Sequence, residues 1–171
     1  MPLTQLLQLG LLWGLVFGAV FCAAILIIGR INAEMILNDY PPDIRARYGP
    51  MSAKTRRQAS LASLPLLAAL AGVIFLALAH FRQAAGPLTF LPAFLFLTLI
   101  LQVWNLMDLV VLDWFLLMTL RPRFMILPGT EGLAGYRNFR FHFVKFLNGL
   151  WLTLILAGVI TLIALAVEAL V

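Results

Sequence analysis

Two aspartates, Asp108 and Asp113, stand inside an otherwise apolar run over residues 88–120. A charged carboxylate in hydrocarbon is costly, so each needs a partner, a wet cavity or a task. Three roles suit them. Pairing with Arg30, Arg121 or Arg123 would lock the neighbouring connections down. A titrating pair could carry an ion or a proton. A buried carboxylate could also serve as general base in a site at the membrane surface. Glu131 and His142 lie farther along the chain and add a third acid and an imidazole. The candidate catalytic set is therefore Asp108, Asp113, Glu131 and His142.

The arginines point to a ligand. Arg121, Arg123, Arg137 and Arg140 can each grip a phosphate through two N–H bonds. A lipid headgroup is the nearest phosphate, and Asn105 adds an amide to this candidate binding set. If the polar connections fold over the acids, one face gathers Glu34, Asp39, Asp108, Asp113, Glu131 and His142. Oxygen ligands with one imidazole suit a divalent cation. No H-x-x-x-H or D-x-x-D spacing supports such a centre, so neither a metal nor a cofactor is assigned. The single cysteine, Cys22, excludes an intrachain disulfide and thiol-pair redox chemistry.

These residues need elements to hold them, and composition says which kind. The chain has 171 residues, 63% hydrophobic and 11% charged. Soluble domains carry about 25% charged residues, so lipid is the expected solvent here. Mean hydropathy is +1.02. Four apolar stretches, at about 6–28, 61–78, 88–120 and 147–167, approach or exceed the ~20 residues that cross a bilayer as helix. Alternating strand patterns are absent, and unpaired backbone is not tolerated in lipid. The fold class is all-α: a polytopic membrane protein with four transmembrane helices in an antiparallel bundle. Residues 1–10 hold no Lys or Arg, which argues against a cleavable signal.

Charge sets the expected orientation. Residues 29–60 carry six Lys or Arg and residues 121–146 carry five, whereas the turn at 79–87 carries only Arg82. The positive-inside rule then places both long connections in the cytoplasm and both termini outside. The net charge of +5 belongs to these flanks, which favours membrane lipids as partner and excludes nucleic acid. The short turn predicts that helices two and three form a hairpin. The long connections contain aromatic and turn residues rather than Ser/Gly linkers, and are expected to be ordered. Phe139, Phe141, Phe143 and Phe146 interleave with Arg140, His142 and Lys145, a pattern suited to a segment lying along the interface.

Helix one carries Gly10, Gly14 and Gly18, a tandem G-x-x-x-G that lets a helix approach closely. It is either a packing face within one chain or the seam of a homo-oligomer; membership of a larger membrane assembly is a further option. Gly149, Ala157 and Gly158 on helix four and Ala68, Ala69, Ala71 and Gly72 on helix two suggest further close contacts. Trp13 and Trp151 suit boundary anchors. Pro92 suits the first turn of helix three. From there to Leu120, an α-helix would run about 42 Å against a hydrocarbon layer of about 30 Å. The helix must continue into the headgroups or break. With ~100° per residue, Gln102, Asn105, Asp108 and Asp113 share an arc of roughly 140°, which must face the bundle or a wet cavity.

The strings D-Y-P-P-D-I-R-A-R-Y-G-P-M-S (39–52) and D-W-F-L-L-M-T-L-R-P-R-F-M-I-L-P-G-T-E-G (113–132), with Tyr136 and His142, resemble an uncharacterised group of small bacterial four-span integral membrane proteins. The resemblance covers about half the chain. It implies the four-span fold and a bacterial inner membrane, and no activity. The expected function is a membrane protein with a basic, lipid-phosphate-binding cytoplasmic face. The alternatives are a membrane enzyme on a phosphate-bearing amphiphile and a small-ion or proton transporter.

Overall fold

The computed structural model describes residues 1–170, and all regular structure in them is helical. Four helices are long and apolar enough to cross a membrane. They are α1 (Leu3–Asn32), α3 (Ala53–Ala85), α4 (Phe90–Met107) with its continuation Asp108–Leu120, and α5 (Phe139–Leu170). Each of α1, α3 and α5 extends beyond its apolar stretch. Residues 139–146, expected in a connection, are the opening turns of α5.

Helix α1 stops where Asn32 leaves helical geometry, and its side chain accepts the Glu34 N–H. A 3₁₀ segment (Ala33–Asp39) and the short α2 (Pro42–Tyr48) fill the first long connection. The second holds two 3₁₀ turns, Arg123–Met125 and Ala134–Arg137. Helix α3 ends at Gly86, whose φ of 85° a side chain would resist. Its N–H bonds Arg82 O, and Pro87 then blocks helix continuation.

The glycine stripe of α1 faces α4. A methyl group on Gly14 would lie 2.7 Å from Val103 Cβ and 3.2 Å from Ile100 O, and one on Gly10 2.7 Å from Leu99 Cδ2. Gly18 faces the Met107 sulfur. This face is filled within one chain by Leu99, Val103 and Met107 of α4. On its other side α4 meets α5 at Gly149, where Asn105 occupies the space of a side chain.

Helix α3 rests on α1 rather than along α4, so the expected hairpin closes only near its turn, where Phe81 stacks on Phe96 at 4.7 Å. Ala68, Ala69, Ala71 and Gly72 point outward, and nothing lies within 4 Å of a Cβ on Gly72. Their small size therefore serves no contact within the chain. Toward that turn the helices enclose an apolar core including Phe17, Ala77, Phe81, Phe96, Leu97 and Ile100. Arg82 bridges to Glu168 of α5 at 3.2 Å, and Trp13 donates to His80 rather than standing free as an anchor.

A second core lies at the opposite end, under the connections. Leu37, Tyr40, Ile44, Met125, Leu127 and Tyr136 are buried there together. The connections are also stitched by polar bonds. Tyr40 donates to Met125 O at 2.6 Å, Gly135 N–H to Asp43 at 2.8 Å, and Arg47 to Gly129 O at 3.2 Å. The two long connections are thus one ordered cap.

Candidate functional site

At Asp108 the third long apolar helix changes its winding. Residues Asp108–Leu120 form a π-helix, whose i→i+5 bonds make wider turns. In an α-helix, residues nine apart stand about 180° apart. Here Asp108, Leu112, Asp113 and Leu117 all line one cavity. The π winding brings the two carboxylates to one face, which the α-helical arc describes poorly. A wider turn also shortens the segment, so the excess length neither breaks the helix nor extends it fully. The segment ends at Arg121, at φ 47° the one described non-glycine residue with positive φ, whose N–H bonds Leu116 O at 2.8 Å.

The cavity has a volume of about 90 Å³ and lies between α1, the 33–39 turn, the π-helix and α5. Asp39, Asp108, Asp113 and Lys145 give it charge, while Phe21 and Ile25 give it an apolar wall. Such a space holds a few waters or a small polar group, well short of a lipid headgroup. Lys145 pairs with Asp39 at 2.9 Å. Beside the cavity, His142 Nδ1 lies 2.8 Å from Asp113 Oδ1, and His142 is 1% exposed. That contact is close but poorly aligned, and neither ring nitrogen completes a hydrogen bond. His142 and Lys145 sit three apart on α5, so both reach the same side. Asp108 has no ion-pair or hydrogen-bond partner among the described residues. Chemically, the set can accept a proton or small cation among its carboxylates, or present an imidazole steadied by Asp113.

Tyr40 forms part of the lining. Burial, then neighbouring Tyr136, push its phenol above the ordinary range, so it remains a neutral donor to Met125 O. Tyr136 in turn accepts the Leu127 N–H at 3.0 Å.

The other sequence candidates lie apart. Glu131 is exposed in a turn and does not line the cavity. Glu34 is spent on Ser52 N–H and the Thr55 hydroxyl. Asn105 is engaged between helices: its amide donates to Phe146 O, as Gln102 donates to Leu150 O, and both bind α4 to α5. Neither Arg121 nor Arg123 pairs with the acids, and Arg30 instead stacks over Phe124 at 5.6 Å. Arg123, Arg137 and Arg140 are exposed and Arg121 is half-buried. None of the four has a hydrogen-bonded or ion-paired side chain among the described residues. No three His, Cys, Asp or Glu side chains among the described residues converge as metal ligands. Between the cavity and the Trp13–His80 pair lies the apolar core.

Two members escaped sequence reasoning, Lys145 as the Asp39 partner and Tyr40 in the lining. The i, i+3 spacing of His142 and Lys145 was the available signal for the first; the rigid Tyr40-Pro41-Pro42 corner was the signal for the second. No known protein family, curated protein or solved structure matches the chain.

Proposed function

We propose that the protein is a multi-pass inner-membrane protein whose capped end faces the cytoplasm and binds anionic lipid through phosphate. Its helices then alternate in direction, with both termini outside. One observation carries this reading. Every Lys and Arg except Arg82 lies in or beside the two long connections, and among the described residues only Lys145 of these is ion-paired. Uncompensated positive charge next to an anionic leaflet contributes about 1 kcal/mol per basic residue. Purified protein in nanodiscs should retain phosphatidylglycerol over phosphatidylcholine. Replacing Arg121, Arg123, Arg137 and Arg140 together by Gln should weaken that preference, as should high salt. A wild-type protein indifferent to headgroup charge would end the proposal.

A second reading has its own observation: the Asp113–His142 contact stands beside a cavity that also holds unpaired Asp108. It supports a membrane enzyme using an Asp113-steadied imidazole on a phosphate-bearing amphiphile. Asp108→Asn separates the two readings. A lower protein yield with unchanged lipid binding per folded molecule assigns Asp108 to structure. The transport reading draws no support, because an apolar core separates the cavity from the other end.

A further inference from the structure

The cap carries a second and larger recess. It opens between the 33–39 turn, α2 and the start of α3, with a volume of about 730 Å³, within the range of ligand-binding clefts. Leu37 and Met51 supply apolar lining, and Arg45 and Arg56 supply charge. The acids of this connection are already engaged. Glu34 accepts from Ser52 and Thr55, Asp39 pairs with Lys145, and Asp43 accepts from Gly135. Arg45 and Arg56 therefore stand in one recess with no carboxylate to neutralise them, and neither side chain has a hydrogen-bond partner among the described residues.

We infer that this recess is a specific pocket for the phosphate headgroup of an anionic membrane lipid, held by the Arg45 and Arg56 guanidiniums. Two planar forks can share one phosphate, each through paired N–H bonds. The apolar lining then meets the glycerol and the first acyl carbons, a task free inorganic phosphate would leave unused. The inference rests on the lipid-phosphate reading of the cap. It adds a defined site at residues distinct from the 121–140 arginines.

The test uses full-length protein in phosphatidylcholine nanodiscs titrated with phosphatidylglycerol, with bound lipids counted by native mass spectrometry. Wild type should show one tight phosphatidylglycerol above a looser population. R45Q/R56Q should weaken that tight lipid roughly thirtyfold and leave the looser ones in place. R45K/R56K, which keeps charge but loses the forks, should fall between them and also guards against a folding defect in the first variant. Tight binding unchanged in R45Q/R56Q but lost in the Arg121/Arg123/Arg137/Arg140 variant would overturn the pocket and leave the general reading standing. Wild type without any phosphatidylglycerol preference would overturn both. Displacement of the tight lipid by millimolar inorganic phosphate would assign the recess to free phosphate and overturn the lipid assignment.

Discussion

Asp113 and His142 make the sharpest claim at the scale of single residues. His142 is almost wholly buried and completes no hydrogen bond, so removing Asp113 takes away the one close acid contact of a buried polar ring. Asp113→Ala should destabilise the protein by about 1–3 kcal/mol, the usual cost of an orphaned buried group. Asp113→Leu with His142→Phe should cost less than the two single changes summed, because no polar atom is left alone. Denaturation by SDS in mixed micelles measures wild type, Asp113→Ala, the two singles of the cycle and its double variant. Strict additivity would mean that the 2.8 Å contact contributes nothing. The glycines give a graded counterpart. Gly14→Ala drives a methyl toward backbone Ile100 O and should cost about 1–3 kcal/mol. Gly10→Ala meets side-chain atoms of Leu99 and no backbone, nearest the movable Cδ2, and should cost less. Gly72→Ala meets nothing and should be neutral or stabilising by up to about 1 kcal/mol. Equal losses at all three would refute the described packing.

Among the elements, the π-helix organises the site. Its i→i+5 bonds are less favourable than the α pattern, and function often accompanies such turns. Hydrogen exchange should therefore be faster over 113–121 than over 96–107, even where both are shielded. Arg121 closes the segment in a conformation that costs a side-chain-bearing residue about 1–2 kcal/mol. Arg121→Gly should raise stability while lowering phosphatidylglycerol retention, splitting the capping role from the lipid role. A variant that loses both would show that the arginine side chain itself holds the cap. This element was also the least legible in the sequence. Hydropathy marked the four long apolar helices, and the excess length of 88–120 flagged a problem near Asp108. Nothing local, however, distinguishes π from α winding: Val110, Val111 and Leu112 suit either, and the segment's neighbours α1 and α5 come from distant sequence. Asn105 and Gln102 were visible as polar residues in lipid, but their partners are backbone carbonyls of α5, which side-chain chemistry does not advertise.

For the molecule as a whole, charge and apolarity are divided between two ends. An apolar core sits toward the Arg82–Pro87 turn, and a cap of interlocked connections sits at the other end. That division was legible, because six and five cations against one is a large asymmetry. The order of the helices was not. The short turn suggested α3 beside α4, whereas the glycine stripe of α1 gives α4 a closer neighbour and leaves α3 at the edge. The central claim is that the basic cap rests on the inner leaflet, where anionic phosphate is at hand. Cysteine labelling in intact cells tests it most directly, since native Cys22 is buried and silent. Gln83→Cys and Glu131→Cys place thiols at exposed positions on opposite ends. A membrane-impermeant maleimide should label Gln83→Cys in intact cells and Glu131→Cys only after permeabilisation. Labelling of Glu131→Cys from outside would put the basic cap on the wrong leaflet and contradict the account.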